Sequence, residues 1–140
     1  MGERATGFAA VRSRSLATRG GIAVVLSVLA NVLIVVGAQT LGIAPDFRAL
    51  TVPPVAVLSA LGAIGATAVY WVLDRSVDRP ARTFRRVAIA TLVVSFLPDL
   101  ALLAIDEAAT VTGVVVLMVM HAVVAIVAIE LLVGREGRGR

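Results

Sequence analysis

Four stretches free of charged side chains divide the chain, at 20–45, 49–73, 87–98 and 108–129. A helix needs about 20 apolar residues to cross the hydrocarbon core of a bilayer, so three of these stretches suffice alone. The third reaches that length if Asp99 is taken inside it and the span runs on to Ile105. The pattern predicts an all-α, up-down-up-down four-helix transmembrane bundle, with spans at about 20–41, 52–73, 87–105 and 112–133. The expected organisation is an Arg-rich segment over 1–19, a single four-span domain over 20–134 and a tail over 135–140. Pro53 and Pro54 suit the first turn of the second span, where their missing N–H groups would have no partner anyway. Pro80 discourages a continuous helix through the polar connector DRSVDRPARTFRR. The first stretch has some features of a cleavable signal, but its apolar run continues past Gly37 and Ala38 to Ala44, and we read it as a retained span.

Charge then orients these spans. All 13 basic residues are Arg, and 12 of them fall before the first span, between the second and third, or after the fourth; only Arg48 lies on the other side. By the positive-inside rule both termini are expected in the cytoplasm of a multi-pass protein in the cell membrane. Anionic lipid headgroups, rather than nucleic acid, are the expected partners of the Arg residues, and a homo-oligomer or membrane-complex partner is a further expectation. With no Cys, disulfide scaffolds, thiolate catalysis and iron–sulfur clusters are excluded.

Within the second span Ser59, Gly62 and Ala66 fall near one helical face, a small-residue strip suited to close helix packing, with a ligand groove as the alternative. Tyr70 and Trp71, just before Asp74, read as headgroup-level anchors. The residues that hydrocarbon should reject are Asn31, Asp99 and His121. At 1.5 Å per residue, Asn31 and Asp99 lie roughly 16–18 Å from the inner ends of their spans and His121 about 13 Å from the outer end of its own. In span three Thr91, Ser95, Asp99 and Asp106 share one stripe, and in span one Ser27 and Asn31 stand four residues apart. Spans three and four must run antiparallel through a short loop, which makes Asp99 and His121 the expected pair. Asn31, Ser95, Asp99 and His121 are therefore the candidate ligand-binding residues.

Pro98 removes a backbone hydrogen bond inside span three and predicts a kink, with Ser95 placed to help the freed carbonyl of Val94. Burial disfavours charge on Asp99 and His121, whereas their proximity favours an ion pair, so the two effects oppose each other. Such a pair can bind a proton, an ion or a small lipophilic ligand in a non-enzymatic membrane protein. Two alternatives stay open: a membrane enzyme using Asp99 and His121 as acid and base on a lipid or isoprenoid, and a purely structural subunit. A single His cannot build a His-rich metal site or bis-histidine haem ligation, and no metal or cofactor is expected.

The polar first span, the proline-rich start of the second, YWVLDR at 70–75, LPDLALL at 97–103 and MHAVVAIV at 120–127 together resemble a family of small four-span membrane proteins of actinobacteria and haloarchaea with unknown function. The resemblance covers about residues 20–134. It implies a membrane bundle in which Pro98, Asp99, Met120 and His121 belong to the family pattern, and it supplies no activity.

Overall fold

The computed structural model describes residues 2–133, with side chains from Ser15 onward. The side chains of Arg4, Arg12 and Arg14, and the tail with Arg135, Arg138 and Arg140, lie outside the described residues. Helix α1 (Gly2–Thr40) is followed by a short 3-10 turn (Arg48–Leu50), α2 (Val52–Ser76), α3 (Pro80–Ile105) and α4 (Val111–Ala128), which runs on into a π-helical turn (Ile129–Val133). Four segments are long and apolar enough to cross a membrane: Ser15–Thr40, Val52–Ser76, Pro80–Ile105 and Val111–Val133. Among the described residues there is no strand.

The helix ends follow from local chemistry. After Thr40 the chain turns through Gly42 at φ +68°, a left-handed conformation that costs glycine little. The N–H groups of Leu41 and Ile43 donate to the carbonyls of Gly37 and Ala38, closing the end of α1. Pro53 lies in the first turn of α2 and Pro80 opens α3, where neither forfeits a helical hydrogen bond. Helix α3 thus begins in the polar connector, ahead of the charge-free stretch, and carries Arg82, Arg85 and Arg86 on its first two turns. Thr110 caps α4 by accepting the N–H of Gly113 at 3.0 Å.

Two apolar clusters hold the ends of the bundle. At one end Phe47 and Leu50, from the α1–α2 connection, are buried with Val35, Val114, Leu117 and Met120. A Cβ at Gly113 would lie 3.0 Å from the Ala44 Cβ and 3.1 Å from the Phe47 ring, so the missing side chain lets the connection fold onto α4. At the other end Leu16, Tyr70, Phe84, Ala128, Leu132 and Val133 pack together. Tyr70 and Phe84 meet edge to face, ring centres 5.2 Å apart and planes at 88°. Tyr70 is therefore a core residue and not the headgroup anchor expected of it. Its neighbour Trp71, a helical step of about 100° further round, is exposed, with the Arg75 guanidinium 3.6 Å over its ring.

Between the clusters lies a polar layer: Ser27, Asn31, Ser59 and Asp99 are the buried polar side chains among the described residues. Helix α1 packs on α2 and α4, and α3 on α4 and α2. The approach of α1 to α2 is close: a Cβ at Gly20 would come within 2.5 Å of the Thr67 methyl. Helix α3 is held far more loosely, since Phe84 and Asp99 are its buried residues.

Candidate functional site

The polar layer is a set of cross-links between helices. Asn31 on α1 donates from Nδ2 to Ser59 Oγ on α2 at 2.8 Å and to the Met120 carbonyl on α4 at 3.2 Å. Both amide hydrogens are thereby used, and the Asn31 Oδ1 is buried without a hydrogen-bond partner. The residue after Met120 is His121. Its Nδ1 lies 3.0 Å from Asp99 Oδ2 on α3 and 3.0 Å from the carbonyl of Leu117, one turn earlier on its own helix.

These two distances constrain the proton. A carbonyl oxygen only accepts, so a close Leu117 contact requires Nδ1 to carry the hydrogen. One N–H cannot point squarely at two oxygens, and Asp99 Oδ2 stays buried without a well-directed donor of its own. The Asp99 side chain is 8% exposed and that of His121 39%. The carboxylate is thus enclosed while part of the imidazole remains open.

The opening is a cavity of about 600 Å³ bounded by α2, α3 and α4 with Asn31 at its back. Asn31, Ser95, Asp99 and His121 all line it, so the four candidate binding residues surround one space. They play different parts there. Asp99 and His121 touch each other; Asn31 is tied to Ser59 and Met120; Ser95 donates its hydroxyl to the Leu92 carbonyl at 2.7 Å. Ser95 does not serve the Val94 carbonyl opposite the Pro98 ring. Pro98 sits inside α3 with its ring exposed.

The remaining wall is apolar. The small-residue face of α2 contributes Ser59, Gly62, Gly65 and Ala66, and α3 contributes Val87, Ala88, Thr91 and Leu92. Leu58, Leu61, Gly62, Gly65 and Val69 are exposed as well as lining, so the cavity opens sideways between α2 and α3. Gly62 lies against α4, where a Cβ would sit 3.3 Å from Val124 Cγ1, whereas a Cβ at Gly65 would meet nothing within 4 Å. The sequence offered a groove on this face of α2 only as the alternative to helix packing, and it gave no sign of the Phe47–Leu50 plug or the Asn31–Ser59 bond. Gly65, three residues beyond Gly62 of the small-residue strip, was the further signal for the groove. Among the described residues no group of three or more His, Asp or Glu is arranged to hold a metal ion.

Four long apolar helices around a polar layer define a membrane-type helical bundle with an interior acid–imidazole contact. The chain belongs to DUF6069, a family of unknown function, whose model matches residues 11–138. Neither a curated protein nor a solved structure matches the chain.

Proposed function

We propose that the chain is a membrane-embedded, non-enzymatic binding protein that takes a small lipophilic ligand through the groove between α2 and α3, with Asp99 and His121 as its polar anchor. The supporting observation is the coincidence of a 600 Å³ lateral cavity with an Asp99–His121 contact at its wall. Ligand sites are typically concave and mostly apolar with a few convergent polar groups, and ionisable residues inside membranes are functional candidates by default. In this reading the bundle lies in the cell membrane with both termini cytoplasmic, which the distribution of Arg supports. Arg75, Arg79, Arg82, Arg85 and Arg86 then meet anionic headgroups, each contributing about 1 kcal/mol. Exposed faces of α2 and α3 leave room for a second copy or a membrane partner.

The test is comparative lipid extraction. Wild-type protein and Gly65→Leu, purified from the same cells in the same mild detergent, are extracted and compared by mass spectrometry. Gly65 lines the cavity and a Cβ there meets nothing within 4 Å, so the leucine side chain has room to fill the groove. Enrichment of a lipid on the wild type and its depletion on the variant is the expected result; identical extracts contradict the reading.

A second reading, a membrane enzyme with Asp99 and His121 as acid and base, is favoured by the partly open imidazole edge. It requires turnover of a lipid or isoprenoid by purified protein, lost in both Asp99→Asn and His121→Ala.

A further inference from the structure

The hydrogen-bonding inventory of the groove narrows the chemistry of its ligand. The Nδ1 hydrogen of His121 is committed to the Leu117 carbonyl and the adjoining Asp99 carboxylate. In the neutral ring the lone pair therefore sits on Nε2, which has no partner among the described residues and belongs to a side chain that is 39% exposed and lines the cavity. Asn31 Oδ1 is another acceptor, buried without a hydrogen-bond partner, and Asp99 Oδ2 has only its share of the Nδ1 hydrogen. The amide and hydroxyl nearest the pair are spent, since Asn31 gives both amide hydrogens to Ser59 and Met120 and Ser95 gives its hydroxyl to Leu92, which leaves the hydroxyls of Ser59 and Thr91 as the donors on the wall. Among the described residues no Arg lines the cavity. A phosphate or carboxylate head would lie beside the Asp99 carboxylate with no fixed cation to offset it, which is costly in a medium of low dielectric.

We infer that the groove selects a lipid whose head is an uncharged hydrogen-bond donor, an alcohol above all, with the hydroxyl donating to His121 Nε2 and the apolar chain lying along the Gly62–Gly65 face of α2. This rests on the groove-binding reading above and adds the class of ligand to it. Asp99 acts here as a positioning residue: it helps hold the proton on Nδ1 and so keeps Nε2 an acceptor.

The chain has one histidine, so selective nitrogen-15 labelling of histidine reports on His121 alone. The labelled protein, in phosphatidylcholine vesicles, should show the Nδ1-protonated tautomer of the neutral ring. Adding 1-dodecanol should shift the Nε2 resonance, while dodecyl methyl ether, with a similar chain and no donor, and dodecanoate, with an anionic head, should leave it in place. The dodecanol shift should vanish in Gly65→Leu. An Nε2-protonated ring, a response to dodecanoate, or equal responses to alcohol and ether would overturn the donor preference while leaving a groove that binds lipid. No response to any probe, or a dodecanol response that persists in Gly65→Leu, would overturn the groove reading itself along with the inference.

Discussion

Helices α1 and α3 occupy opposite positions about the α2–α4 contact and are attached in different ways. Along α1, attachment is distributed: Leu16, Ala23, Ser27, Asn31, Val35 and Ala38 are buried in succession, Gly20 lies hard against Thr67, and Asn31 ties α1 to both neighbours. Along α3 it is concentrated at two residues fifteen positions apart, Phe84 in the aromatic cluster and Asp99 against His121. In lipid, apolar burial gives little drive for helices to associate, so packing and polar contacts decide which pairs close. Distributed contact makes α1 part of a fixed wall. Two-point contact leaves the space between α3 and α2 that forms the groove, and it gives the Asp99–His121 pair a structural role beside the recognition role proposed for it.

The contrast is sharpest where α3 is fastened. Removing His121 as Ala leaves the Asp99 carboxylate enclosed without its partner. Breaking a fully buried pair costs about 3–5 kcal/mol, and the open side of this ring reduces the expected loss to about 2–3 kcal/mol. Thermal unfolding in detergent should show His121→Ala as the least stable of the variants considered, with Asp99→Asn milder because the amide can still accept from Nδ1–H. At the other fastening point, Phe84→Ala removes the edge-to-face partner of Tyr70. A soluble core would lose about 3–5 kcal/mol, and because no hydrophobic transfer opposes exposure to lipid we expect about 2 kcal/mol, measured by the same unfolding assay. A rise in stability on either change would dissolve the two-point description of α3.

The α1 side should respond differently. Gly20→Val places a branched side chain where even a Cβ would lie 2.5 Å from Thr67, whose own hydroxyl is held by the Ala63 carbonyl at 2.8 Å. Overpacking of this kind costs about 1–2 kcal/mol, and cysteine cross-linking across α1 and α2 should become less efficient in the variant. Asn31→Ala deletes two interhelical hydrogen bonds, each worth about 0.6 kcal/mol between membrane helices, for a loss of about 1 kcal/mol. If attachment of α1 is distributed, Asn31→Ala should leave the α1–α2 cross-linking yield unchanged; a collapse in that yield would put α1 on the same footing as α3.

Much of this arrangement was written in the sequence, because helix length, proline placement and periodicity act locally. The prolines at 53, 54 and 80 mark helix starts through their missing N–H groups. The polar stripe of α3 has only one phase that keeps Asp99 off lipid, and a short antiparallel connection then brings it to the height of His121. Rotation about the helix axis was less legible. Tyr70 and Trp71 are adjacent and chemically alike, yet one packs on Phe84 and the other faces outward, and the choice depends on where Phe84 of another helix sits. Ser59 looked like a packing residue because its partner, Asn31, lies 28 positions away. The groove was the least legible feature of all, since it arises from contacts that α3 does not make.

The polar anchor of the groove depends on the proximity of one carboxylate to one imidazole. Solid-state recoupling between carbon-13 at aspartate side-chain carboxyls and nitrogen-15 at the single histidine, in lipid vesicles, measures that proximity directly. We predict one recoupled aspartate carboxyl, assigned to Asp99 by its loss in Asp99→Asn, with coupling to Nδ1 stronger than to Nε2. No recoupled aspartate, or coupling through Nε2, would contradict the site and the groove chemistry built upon it.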